Sequence, residues 1–134
     1  MGNFKELRVW QDSINLAQSI YEPTRLPAFS RDFGLCNQIQ RAAVSIGSNI
    51  AEGNEMDSLK QSVHFLYIAK GSVSEVITQL HIANRIGYID TETLISHEDN
   101  CEKIRASLKN LIKVRSSNPL NQFTKLLFPI FKPF

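Results

Sequence analysis

Apolar residues recur at spacings of three and four along most of this chain, and no segment sustains the two-residue alternation of a half-buried strand. That periodicity predicts an all-α protein of four helices. The first is expected over about residues 9–22, with Trp10, Ile14, Ala17 and Tyr21 on its apolar face. Pro23 and Pro27 each lack an N–H and disfavour helix in the residue before them, so a linker is expected from Pro23 to Phe29. The second helix is expected over 31–52. Ser30 is its N-cap, Asp32 suits its positive end, and Gly53 closes it. Its stripe is Leu35, Ile39, Ala42, Ala43, Ile46 and Ile50. Gly34 and Gly47 each cost about 1 kcal/mol relative to Ala, a loss tolerable where another helix must approach closely.

The third helix is expected over 58–86, opened by a capping box of Ser58 and Gln61 and closed by Gly87. Leu59, Val63, Leu66, Val73, Val76 or Ile77, Leu80 and Ala83 form its seam. The fourth is expected over 90–115, capped by Asp90 or Thr91, with Leu94, Cys101, Ile104, Leu108, Leu111 and Ile112 inward. Short connections at 53–57 and 87–89 place neighbouring helices antiparallel, which predicts a single-domain up-down-up-down four-helix bundle over residues 1–116. Residues 117–134 depart from this pattern. Phe123, Phe128, Phe131 and Phe134 stand there with Leu120, Leu126, Leu127 and Ile130, broken by Pro119, Pro129 and Pro133. So much exposed apolar surface would promote aggregation. An extended apolar C-terminal arm is therefore expected to pack on the bundle or on a neighbouring subunit.

Composition narrows the classes. The 134 residues are 43% hydrophobic and 21% charged, with a formal net charge of +2. That balance lacks the strong basic excess by which many nucleic-acid binders declare themselves. No run approaches the ~20 apolar residues of a membrane span, so no membrane partner is expected. The N-terminus shows no apolar signal segment. Cys36 and Cys101 fall on different helices without metal-ligand spacing, which fits a reducing cytoplasm.

Candidate chemistry is sparse. His64, His81 and His97 form no Glu-x-x-His or His-Glu-x-x-His pattern, so no metal or cofactor is expected. Ribonucleases of the HEPN type place an Arg five to seven residues before a His on one helix. Here those positions hold Asp57, Ser58 and Leu59, then Ser74, Glu75 and Val76, then Asp90, Thr91 and Glu92. No set of residues supplies nucleophile, base and stabiliser together, and no enzyme is expected.

A second stripe on the second helix is less ordinary. Gln38, Arg41, Ser45, Ser48, Asn49 and Glu52 share an arc of roughly 100° beside the apolar one. Ser and Asn are poor helix formers, and here they stand among Ala42, Ala43, Gly47 and Ala51. The third helix offers Lys70, Gly71, Ser72, Ser74, Glu75 and Gln79. The expectation is a polar, close-packed seam between helices or subunits, carried by Gln38, Arg41, Ser45, Asn49, Glu52, Ser72 and Glu75.

The same residues carry a resemblance. The run Gly34 to Gly53, with Arg41-Ala42-Ala43-Val44-Ser45-Ile46 and Asn49-Ile50-Ala51-Glu52-Gly53, resembles the signature of the four-helix-bundle proteins encoded in 23S rRNA intervening sequences. Leu7-Arg8-Val9-Trp10 and the stretch Phe65 to Ser72, followed by Glu75 and Leu80, match as well. Many members carry a basic residue soon after the Glu-Gly; Asn54-Glu55-Met56-Asp57 stands there instead. The resemblance implies a ring-like homo-oligomer, a pentamer. It also implies kinship with accessory proteins of diversity-generating retroelements, which bind nucleic acid through a strongly basic surface. Local support for RNA binding is limited to Lys103, Arg105, Lys109, Lys113 and Arg115, bases that also match the dipole at their helix's C-terminal end. The expected function is a non-catalytic homo-oligomeric bundle that engages rRNA or another nucleic acid. The alternative is a protein-binding scaffold without nucleic-acid contact.

Overall fold

The computed structural model describes residues 2–117. Among the described residues there is no strand. The helices are α1 (Arg8–Tyr21), α2 (Pro27–Arg31), α3 (Phe33–Glu55), α4 (Leu59–Arg85) and α5 (Thr91–Ser116). Two 3-10 turns, Phe4–Glu6 and Pro23–Arg25, flank α1. The apolar arm expected over 117–134 lies almost wholly outside the described residues.

Several boundaries follow from local chemistry. Ser58 Oγ accepts from Gln61 N (3.3 Å) at the start of α4, and Asp90 Oδ1 from Thr93 N (2.8 Å) at the start of α5. After α4 the chain turns at Gly87, whose φ of +85° is a conformation that glycine adopts without a Cβ clash.

Other expected boundaries need correction. Ser30 does not cap α3; it lies inside α2, its hydroxyl donating to Pro27 O (3.0 Å), and the cap is Asp32, whose Oδ1 accepts from Leu35 N (3.1 Å). Pro23 and Pro27 do not leave a plain linker. Each takes the first position of a short helical turn, where its fixed φ suits a helix start and no N–H is needed. Gly53 does not end α3, which runs on to Glu55. Its role is close packing: a Cβ there would sit 3.0 Å from the Ser62 carbonyl oxygen of α4.

The core is continuous across all the long helices. Leu16 and Ile20 of α1, Ile39, Ile46 and Ile50 of α3, Leu66, Val73, Val76 and Leu80 of α4, and Ile104 and Leu108 of α5 are buried within it. Phe29 of α2 is also fully buried, and its ring stacks on Tyr88 at 5.2 Å. The Tyr88 hydroxyl donates to Asp32 Oδ2 (3.0 Å), which ties the α4–α5 connection to the head of α3.

On α1 the expected apolar face is rotated. Val9, Ser13, Leu16 and Ile20 are buried, while Ile14 and Tyr21 stay exposed. Ser13 is polar, yet its hydroxyl donates to Trp10 O (2.6 Å) and so enters the interior satisfied. It meets α3 at Gly47, where a Cβ would lie 2.9 Å from Ser13 Oγ.

Candidate interaction surfaces

The Ser-rich stripe of α3 and its counterpart on α4 meet. Ser72, buried, donates from Oγ to Ser45 Oγ (3.0 Å). Asn49 Nδ2 donates to Ser45 Oγ (2.9 Å) and to Ser45 O (2.8 Å) on the preceding turn. Short hydroxyls permit this close approach and satisfy each other across it. Above them lies an open groove of about 550 Å³ lined by Gln38, Arg41, Ser45, Ser72, Glu75 and Gln79, among others. Of the seven seam residues read from sequence, five line this groove, Asn49 supports its wall, and Glu52 is exposed beyond it. Gln79 matters more than its surface-like residue type suggests. It is only 8% exposed, and its Oε1 is buried without a hydrogen-bond partner among the described residues. Sequence supplied its position on the right face but no signal of that burial.

The basic residues of α5 divide among three places. Lys103 joins Arg8, Asp12, Asn15 and Asn100 around a groove of about 400 Å³ between α1 and α5. Arg105 and Lys109 face the other side and, with Lys70 of α4, line a groove of about 340 Å³. Glu102 sits there too, its carboxylate accepting from Arg105 Nη2 at 2.7 Å. Lys113 is exposed.

Arg115 does not belong with this solvent-facing set. Its Nη1 donates to Ser62 Oγ (2.6 Å) and Gly53 O (3.3 Å), and its Nη2 to Asn54 Oδ1 (2.8 Å). Asn54 Nδ2 in turn donates to Gly2 O (2.7 Å). One guanidinium thus joins the end of α5 to the end of α3 and the start of α4, and Asn54 carries the network on to the N-terminal segment. Partial burial lowers its pKa from the ordinary arginine value. Both terminal nitrogens of its guanidinium are engaged inside the protein rather than held out toward solvent.

Both cysteines and two of the histidines sit at contacts between elements. Burial pushes the Cys101 thiol up to about 12, and burial with the nearby Asp32 raises that of Cys36. His81 Nε2 lies 3.0 Å from Glu98 Oε2, and His97 Nε2 lies 3.3 Å from Ser19 O, each linking α5 to a neighbour. Among the described residues, no group of three or more His, Cys, Asp or Glu could hold a metal ion, and no helix is long and apolar enough to cross a membrane.

These features define an all-helical protein whose polar chemistry lies in open interhelical grooves. The model of the 23S rRNA-intervening sequence protein family matches residues 5–110, and the chain belongs to that family. A crystal structure of a protein of unknown function from the S23 ribosomal protein family of Bacteroides thetaiotaomicron VPI-5482, at 1.70 Å resolution, is 28% identical with a TM-score of 0.74. The match covers 79% of this chain and 99% of that one. No curated protein shows significant similarity to this chain.

Proposed function

We propose that this chain is a non-catalytic, cytoplasmic, homo-oligomeric subunit that engages rRNA or another nucleic acid. Its four long helices form an antiparallel up-down-up-down bundle. Supporting that topology, Asp32 at the head of α3 meets Tyr88 just past α4, whereas Gly53 near the tail of α3 meets Ser62 at the start of α4. Ser62 then meets Arg115 at the end of α5. The subunits assemble as a pentameric ring, and the chain stands beside the accessory proteins of diversity-generating retroelements in using a basic surface.

The observation that carries the nucleic-acid reading is the convergence of Lys70, Arg105 and Lys109 from two helices on one open groove. Ammonium and guanidinium groups so placed suit phosphate oxygens, and repetition around an assembly sums a field that the monomer's +2 conceals. Fluorescence anisotropy with 23S rRNA fragments tests it. Binding at low salt that weakens steeply as salt is added supports the reading, and no binding at low salt removes it. The second reading, a protein-binding scaffold without nucleic-acid contact, is favoured by the α3–α4 groove, where charges of both signs face outward.

A further inference from the structure

We infer that the α3–α4 groove docks a second copy of this chain, Arg41 of each copy pairing with Glu75 and Gln79 of the other. The inference rests on the self-assembly reading above and specifies one surface for it. Arg41 and Glu75 are both exposed, both line the groove, and neither makes an ion pair with any described residue. Glu75 and Gln79 lie one helical turn apart on α4 and so present two acceptors on one face. One of them, Gln79 Oε1, is buried and unpartnered among the described residues. A buried acceptor left unmet is costly, and native structures almost always satisfy it. What this oxygen lacks is a donor, and once the amide turns into the groove a guanidinium has N–H groups for it and for the Glu75 carboxylate.

The occupant follows from the charge pattern. A free cation entering the groove would meet the charge of Arg41, and a free anion that of Glu75. A second copy docked groove to groove about a two-fold axis answers both charges at once, each Arg41 set against the opposite Glu75. Ile68, 39% exposed on the same rim, adds apolar area that such docking would cover. The Ser45–Ser72 bond ties the two helices together, so docking asks only that the Gln79 amide turn its buried oxygen toward the groove. This interface is isologous and joins copies in pairs. It therefore differs from the head-to-tail interface that closes a ring, and would join two rings face to face.

Native mass measurement on the full chain tests this. The wild type should contain an even number of copies. Arg41→Glu or Glu75→Arg alone should halve that mass, weakening association by on the order of tenfold or more, while helical circular dichroism stays at the wild-type level. Mixing the two variants in equal amounts should restore it, because one brings two acids and the other two bases to each interface. Arg41→Ala, a milder change, should shift the mass in the same direction. Variants that keep the wild-type mass, or a mixture that stays at the lower mass, would overturn the reciprocal pairing while leaving self-assembly intact. A monomeric wild type would overturn the self-assembly reading itself and the pairing with it.

Discussion

A methyl group at Gly53 would press on the Ser62 carbonyl, a backbone atom of α4 that cannot swing aside. Gly53→Ala must therefore push α3 and α4 apart, at a cost of about 1–3 kcal/mol. Gly71 lies on the same helix as Ser62, but nothing stands within 4 Å of its added Cβ. Gly71→Ala should instead stabilise by about 0.5–1 kcal/mol through helix propensity. Urea denaturation of these two variants decides the matter, since equal effects would rule out close approach at Gly53. Arg115→Met keeps the apolar stem but leaves Ser62, Asn54 and Gly53 short of a donor, and should cost about 1–3 kcal/mol by the same measurement. The Cys101 thiol is held neutral mainly by burial, with Glu102 and Glu98 adding to the effect and Arg105 opposing it. A raised pKa means that this stabilisation is complete below the ordinary thiol value of 9.0 and fades as pH rises toward about 12. Stability should fall there by up to about 1.4 kcal/mol per pH unit. Cys101→Val should flatten that alkaline slope, and an unchanged slope would refute the assignment.

At the scale of elements, the α3–α4 groove makes a prediction that depends on context. Gln79→Leu removes a buried oxygen without a partner, so in the Arg41→Glu background, where pairing is blocked, it should raise the melting temperature. In the wild-type background it should lower the paired fraction, because the incoming guanidinium loses an acceptor. A melting temperature lowered in both backgrounds would show that Gln79 is satisfied within the single chain. The elements themselves were legible where a helix start or stop has its own chemistry, as at Ser58, Asp90 and Gly87. They were misread where one residue type serves two purposes. Gly53 has the identity of a terminator but is needed for close packing, and Pro27 reads as a breaker although it opens α2. On α1, Ser13 hid the buried face because its burial depends on Gly47, thirty-odd residues away, and no local pattern encodes that pairing. The seam residues could be collected from periodicity alone, yet the isolation of Gln79 Oε1 depends on which α3 side chains fail to reach it.

For the whole molecule, the question is which of fifteen basic residues could act together on a polyanion. Charge order along α5 suggested five of them, but order along a helix does not fix direction around it. Packing sends Lys103 toward α1, ties Arg115 into the bundle end, and brings in Lys70 from α4, a residue that no reading of α5 alone could supply. If nucleic acid binds at the Lys70 groove, Lys70→Gln and Lys109→Gln should each weaken binding to 23S rRNA fragments. Each should also reduce the slope of log affinity against log salt by about one for every phosphate no longer neutralised. Lys103→Gln, in the opposite groove, and Arg115→Met, if still folded, should leave the slope where it was. Arg105 is the informative intermediate, because Glu102 already holds its guanidinium. Glu102→Gln frees that charge and removes a negative one, so it should tighten binding and steepen the slope. Should Glu102→Gln have no effect while Lys103→Gln weakens binding, the nucleic acid would be using the α1–α5 groove, and the charge order of α5 would have pointed to the wrong side of the molecule.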